Sequence, residues 1–335
     1  MIDPAGTLAP VPSVDLDIVG ARDASVSATT ARMIDDATAA NTKRAYARQW
    51  STFTAWCSQE GRTMLPCSDA TLAEYAAQLV TAGAGPATVE QAIATIRRVH
   101  RDQAATPPDT RAARLVLRTA RRERADAGQA TRQAPPAALD QLRAMLAACD
   151  TSTRGVRDRA LLLLGFAMMG RRSELAALDL ADIREVDEGL IVVVRRSKTD
   201  QDGRGAEVAV PYGSRPDSCP VRAVRAWRGW LASIGITEGR LFRSVTRHGH
   251  IGEAMSGDGI RRAVRAAAVR AGLPNADVFS AHSLRAGGAT AAAKAGAPVA
   301  AIARQGRWSP TSPVVHSYIR AADRWRDNPM ASVGL

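Results

Sequence analysis

The residue types and spacings most open to chemistry occur in four segments of this 335-residue sequence. In AHSLRAGGAT, residues 281–290, His282 and Arg285 stand three apart and share a helix face. One transfers protons near neutral pH, and the other carries a fixed positive fork. Ala286, Gly287 and Gly288 let a second backbone approach this helix closely. In MMGRRSELAALDLADI, residues 168–183, Arg171 falls between the end of a buried helix and the start of the next. A guanidinium there joins unpaired backbone N–H groups that face an anion. Glu174, three residues on, can orient it. Lys198 lies in RRSKTDQDG, where a strand enters its turn, and an ammonium there can protonate a departing oxygen. GRWSPTSPVVHSYIR, residues 306–320, brings Trp308 and Tyr318. Each feature alone has a plain structural account: a helix-start ion pair, a capping histidine, a turn lysine, a buried aromatic pair.

The elements that must position these residues are mostly helical. Residues 1–40 hold two Arg against six Asp, lack periodicity, and are expected to form a flexible acidic tail. From Asn41 to Ala127 the spacing predicts four helices. Asn41 caps the first, with Tyr46, Trp50, Phe53 and Cys57 on one apolar face. A second follows Ser68 and stops at Gly83, with Leu72, Tyr75, Ala76 and Leu79 inward. A third carries Val89, Ile93, Ile96 and Val99; a fourth, capped by Asp109, carries Leu115 and Leu117. Residues 128–136 read as a linker. Residues 137–335 are expected to form a second domain with helices at 139–149 and 157–169. Strands at 189–196 and 206–211 make a β-hairpin, and helices follow at 220–233, 260–271, 283–295, 299–305 and 314–324.

Net charge is +12 and Arg greatly outnumbers Lys among 45 basic residues, which indicates a polyanionic partner. Between Arg97 and Arg124 nine Arg face three acids, an excess better suited to phosphate contact than to a merely solvated face. Cys57, Cys67, Cys149 and Cys219 show no metal or disulfide spacing and are expected to be reduced core thiols. His248 and His250 lack further ligands, so no metal is expected, and His316 reads as an exposed helix residue. The longest apolar run, Ala160–Met169, is too short to span a bilayer, and a cytoplasmic protein without membrane contact is expected.

Taken in order, Arg171, Lys198, His282, Arg285, Trp308 and Tyr318, with Glu174 in support, resemble the active-site series of the tyrosine recombinases, the phage integrase family. The resemblance covers nearly all of the chain from Asn41. Trp308, where most members have His, and the HSLRAGGA stretch bring it nearest to the Cre type. Two details depart: Trp308 and Tyr318 are ten apart rather than nine, and Gly170 directly precedes Arg171.

The resemblance implies a mainly α fold: a core-binding, SAM-like domain of four to five helices, and a mostly helical catalytic domain with a small sheet. It implies site-specific cleavage and rejoining of duplex DNA through a 3′-phosphotyrosine on Tyr318, without metal, ATP or other cofactor. Arg171 and Arg285 would hold the phosphate, His282 would assist proton transfer, Trp308 would donate its indole N–H, and Lys198 would protonate the leaving oxygen. Expected DNA contacts are Thr42, Lys43, Arg44, Arg97, Arg98, Arg101, Arg118, Arg121, Arg122, Lys198, Arg261 and Arg262. The implied partners are paired inverted half-sites, a homodimer on one site and a homotetramer in the synapse, in a bacterial or phage nucleoid setting. Met330, Val333 and Leu335 are candidates for docking on a neighbouring subunit. An inactive DNA-binding accessory factor and a type IB topoisomerase remain as alternatives; the full residue set disfavours the first and the compact N-terminal unit the second.

Overall fold

The computed structural model describes residues 26–36, 38, 40–129, 135–195, 205–309, 311–323, 330 and 333. The chain divides into two compact units, Met1–Thr131 and Arg132–Leu335. The first contains α1 (Ala28–Asp36), α2 (Ala40–Gln59), α3 (Asp69–Thr81), α4 (Pro86–Asp102) and α5 (Arg111–Asp126). Three local readings need correction. Part of the expected tail is α1, started by Ser27, whose hydroxyl accepts the Thr30 N–H at 3.2 Å. Its residues 28–33 are exposed. Asn41 lies inside the first turn of α2 and does not cap it. Thr110 occupies the cap position of α5, while the Asp109 carboxylate accepts the Arg111 N–H at 2.6 Å. Ser68 does cap α3, accepting from the Thr71 N–H.

The core of this unit gathers Phe53 and Cys57 from α2, Leu72 and Tyr75 from α3, Val89, Ile93 and Ile96 from α4, and Leu117 from α5. Full burial of such side chains stabilises by about 1.5–3 kcal/mol each. Leu115, two residues from Leu117 and so on the far side of the helix, is exposed. His100, fully buried at the end of α4, donates from Nδ1 to the Ile96 carbonyl at 2.7 Å and accepts the Cys67 N–H on Nε2 at 2.9 Å. One imidazole thereby ties the loop before α3 to α4.

The second unit begins with α6 (Leu139–Ala147), α7 (Thr153–Ala167) and α8 (Arg172–Ala177). Leu161, Leu162, Leu163 and Leu164 are all buried, because α7 is covered on every side. A three-stranded antiparallel sheet follows: β1 (Ile183–Val186), β2 (Gly189–Val194) and β3 (Ala206–Pro211), in the order β1-β2-β3. The small sheet is as expected, but sequence reasoning gave bounds only for the two hairpin strands and did not locate β1. The IREV segment of β1 is four residues long with two charges, and only Ile183 is buried, so it carries little strand signal. Leu190 pairs with Val210 and Val192 with Val208, all four in the core.

Four of the remaining helices are α9 (Pro220–Ser233), α10 (Gly257–Arg270), α11 (Ala281–Lys294) and α12 (Val299–Gly306), and α13 (Pro313–Asp323) ends the series. The small residues of α11 are required by backbone approach. A Cβ on Gly287 would lie 2.2 Å from the Ala137 carbonyl oxygen, and one on Gly288 2.4 Å from that of Phe166. The C-terminal helices close over a small separate core of Met169, Ala289, Ala293, Ile302, Ala303 and Val315, against which Trp308 and Tyr318 pack. All four cysteines are free and buried. Among the described residues, no helix is long and apolar enough to cross a membrane.

Candidate active site

The site is built around the C-terminal end of α7, where a helix leaves carbonyls without partners and concentrates negative potential. Three side chains from distant parts of the sequence meet those carbonyls. Gln305 donates to the Ala167 carbonyl at 2.9 Å, Arg307 to that of Met168 at 3.2 Å, and Arg285 to that of Met169 at 2.5 Å. The helix end thus collects cations. Met169 itself adopts a left-handed conformation (φ 48°), which turns the chain sharply toward α8.

Arg171 stands at the cap position of α8 in an extended conformation. Its backbone N–H donates to Glu174 Oε2 at 2.8 Å, and its Nη1 donates to Glu174 Oε1 at 2.7 Å. Glu174 is almost fully buried, with 2% of its surface exposed. Burial alone would raise its pKa, but Arg307 and then Arg171 outweigh that and hold it below the usual carboxylate value. Arg307 Nη2 donates to Glu174 Oε2 at 2.6 Å. The same residue's carbonyl accepts from Arg171 Nη2 at 3.1 Å.

Arg285, 4% exposed, packs its guanidinium over the Trp308 ring at 3.7 Å from the centroid, a cation–π geometry. Its Nη2 is buried and has no hydrogen-bond partner among the described residues. Burial, and then the neighbouring Arg171, push its pKa down to about 9, still above neutrality. An unpartnered buried cationic donor costs free energy and is best satisfied by an anion.

Tyr318, half-buried on α13, completes the cluster. Its hydroxyl lies 3.1 Å from Nε2 of His282, and its ring is 5.7 Å from that of Trp308. Burial raises the Tyr318 pKa, with Arg285 acting against it. His282 is in the first turn of α11, its N–H held by the Ser280 hydroxyl at 3.2 Å. Its pKa is lowered by desolvation of the ring and then by Arg285. A neutral imidazole therefore faces a protonated phenol at neutral pH, the pairing a general base requires.

The structure brings Arg171, Glu174, His282, Arg285, Trp308 and Tyr318 together. Lys198 lies outside the described residues; Arg195, just before that segment, is ion-paired to Asp182 at 2.7 Å and to Asp179. Sequence reasoning missed Arg307 and Gln305. No local pattern marks them, because the contacts that draw them into the site are remote: Arg307 and Glu174 are 133 residues apart, and Gln305 and Ala167 138. Among the described residues no cluster of three His, Cys, Asp or Glu side chains could hold a metal ion, and His248 accepts a hydrogen bond from Arg247.

The expected DNA contacts separate into groups. Arg97 and Arg101 of α4 with Arg118 and Arg121 of α5 line an open groove of about 580 Å³, joined by Arg114, which sequence reasoning did not single out. Arg122 is exposed and lies off the groove, and Arg98 is paired with Asp102 at 3.0 Å. Arg261 and Arg262 both bind Asp258, at 2.6 and 2.7 Å. Thr42, Lys43 and Arg44 occupy the first turns of α2, and of the three Arg44 is exposed. Met330 and Val333 are exposed, while Leu335 falls outside the described residues.

Comparison with known proteins agrees with this geometry. Residues 138–324 match the phage integrase family, and residues 32–104 match its N-terminal SAM-like domain. The chain is 32% identical over 305 residues to an integrase/recombinase xerD homolog of Selenomonas ruminantium, covering 89% of this chain and 87% of that protein. It is 26% identical over 294 residues to the recombinase cre of Escherichia phage P1, covering 82% of each. The likeness to the Cre type is therefore a looser feature than membership itself. A lambda integrase dimer bound to a COC′ core site shares the fold, with a TM-score of 0.55 at 16% identity over 87% of this chain and 92% of that one. A family match over more than half the sequence, in the unit that assembles the tyrosine, histidine and arginine cluster, places this chain in the phage integrase family, as a tyrosine site-specific recombinase.

Proposed function

We propose that this protein cleaves and rejoins duplex DNA by transesterification at Tyr318. The observation that carries the reading is the placement of the Tyr318 hydroxyl, 3.1 Å from His282 Nε2 and beside Arg285, whose buried Nη2 lacks a partner among the described residues. The phenolic oxygen attacks the scissile phosphorus as its proton passes to His282. The bond from phosphorus to the 5′ oxygen breaks, leaving a 3′-phosphotyrosyl link and a 5′-hydroxyl. Arg171 and Arg285 hold the non-bridging oxygens and offset charge that develops in the pentacoordinate state. Trp308 supports Arg285 through its ring and offers its indole N–H to the phosphate. Lys198 supplies the proton to the leaving oxygen. One phosphodiester replaces another of similar energy, so rejoining needs neither metal nor ATP.

The arginine-lined groove between α4 and α5 suits a phosphate backbone, which makes the first unit a DNA-clamping domain. The lambda integrase dimer on its core site supports a homodimer on paired inverted half-sites, two of which make a homotetramer in the synapse. The test is a nicked suicide duplex bearing the target site. Wild-type protein should give a covalent adduct on the peptide containing Tyr318, while Tyr318→Phe should bind the duplex and give none. An adduct on another residue, or cleavage by Tyr318→Phe, would refute the assignment.

A further inference from the structure

We propose that Arg307 is a positioning residue for strand cleavage: it shares the Glu174 carboxylate with Arg171, so that Arg171 stays correctly turned and only partly neutralised toward the scissile phosphate. This inference rests on reading the site as a phosphoryl-transfer centre. Arg307 lies between Trp308 and the end of α12 in a left-handed conformation (φ 56°), which is uncommon for a residue with a side chain. That turn aims its side chain inward, where only 7% of it is exposed.

Its contacts run in two directions. Nη2 bonds Glu174 Oε2 at 2.6 Å, while Nη1 bonds the Met168 carbonyl at 3.2 Å and that of Gln305 at 2.9 Å. Its own carbonyl accepts from Arg171 Nη2 at 3.1 Å. Arg171 is thus fixed on one side by Glu174 and on the other by the backbone of Arg307. A planar guanidinium can make these divergent bonds at once, and a lysine ammonium can satisfy only part of them.

Charge makes the second half of the case. Arg171, Arg285 and Arg307 surround a single buried carboxylate, Glu174, so these four residues hold two positive charges in excess. A phosphodiester carries one negative charge, and its pentacoordinate state carries two. Without Arg307 the Glu174 carboxylate would fall to Arg171 alone. That pair would then be neutral, and Arg285 would be left to meet the dianion by itself. The stabilisation lost is greatest where charge is greatest, so the cost falls on the chemical step more than on binding.

The experiment is single-turnover cleavage of the suicide duplex by the full chain, with half-site binding measured in parallel. Arg307→Gln should lower the rate of adduct formation at least tenfold and leave the dissociation constant within threefold of wild type. Arg307→Lys should recover a large part of the rate, because it restores the charge if not every hydrogen bond. A substrate with a neutral methylphosphonate at the scissile position lacks one of the charges to be met. On it the Arg307→Gln defect should shrink several-fold, a response that a residue serving only the fold would not show. A rate within twofold of wild type, an undiminished defect on the neutral substrate, or loss of binding in step with cleavage would overturn the proposal. Should Arg307→Gln fail to fold, Arg307→Met, which keeps the length and bulk of the stem but removes the charge, carries the same comparison. A wild-type chain that forms no adduct refutes the transesterification reading itself, and the inference with it.

Discussion

Replacing Gly306 by alanine sets local preference against tertiary geometry. Gly306 is the last residue of α12 and has no positive φ, so alanine is allowed there. On helix propensity alone the change should stabilise by about 0.5–1 kcal/mol. The structure predicts the opposite for activity. A Cβ at Gly306 would sit 1.9 Å from Cζ3 and 2.2 Å from Cε3 of Trp308. Ordinary contact begins near 3.4 Å, so the indole must retreat by roughly 1.5 Å. It is the same ring over which the Arg285 guanidinium rests at 3.7 Å. A cation–π contact of this kind contributes about 0.5–2 kcal/mol. A displacement of the order of 1 Å in a reacting constellation can cost about a hundredfold in rate. Single-turnover adduct formation should therefore fall by about 10- to 100-fold, with half-site binding little changed and the thermal midpoint within a few degrees of wild type. A Gly306→Ala protein that cleaves within twofold of the parent would refute the claim that Trp308 must sit against Arg285.

Three further outcomes follow from the geometry. Because the His282 pKa is lowered, its neutral, proton-accepting form dominates above its ordinary value of 6.5 and is lost only as pH falls below it. The cleavage rate should thus be flat from neutral pH until the approach to the Arg285 pKa of about 9, and drop on the acid side with an inflection below 6.5, which His282→Ala should remove; an acid-side inflection above 7 would contradict the assignment. His100→Ala strands the buried Cys67 N–H and opens a cavity, so it should destabilise the first unit by about 2–4 kcal/mol in denaturant unfolding, and a loss under 0.5 kcal/mol would show that water replaces the imidazole. Arg118→Gln, in the groove between α4 and α5, should weaken binding of target and random duplex alike and lower the slope of log K against log salt by about one unit, whereas loss of target binding alone would point to base readout.

Much of the scaffold was legible because its signals are local. Pro220 at a helix start and β-branched residues in β3 mark elements whose bounds, Pro220–Ser233 and Ala206–Pro211, coincide with those expected. Readings went astray where the signal was weak or shared between neighbours. Ser27 caps a short helix whose residues 28–33 are exposed, Thr110 takes the cap position beside Asp109, and β1 holds a single buried residue.

The same division governs the site. Residue type and order alone singled out the candidate reacting groups: a phenol, an imidazole and two guanidiniums are chemically distinctive, and their succession along the chain is specific even when each member is commonplace. Only the tertiary structure decided how those groups are held. Glu174 and Arg307 meet across 133 residues, Arg285 and Met169 across 116, and Gln305 and Ala167 across 138. No periodicity or spacing encodes such contacts, because they arise when the C-terminal helices pack over the end of α7 and satisfy its unpaired carbonyls. An arginine in an irregular turn reads as solvated in sequence, and only the packing of the C-terminal helices buries Arg307 beside the Glu174 carboxylate.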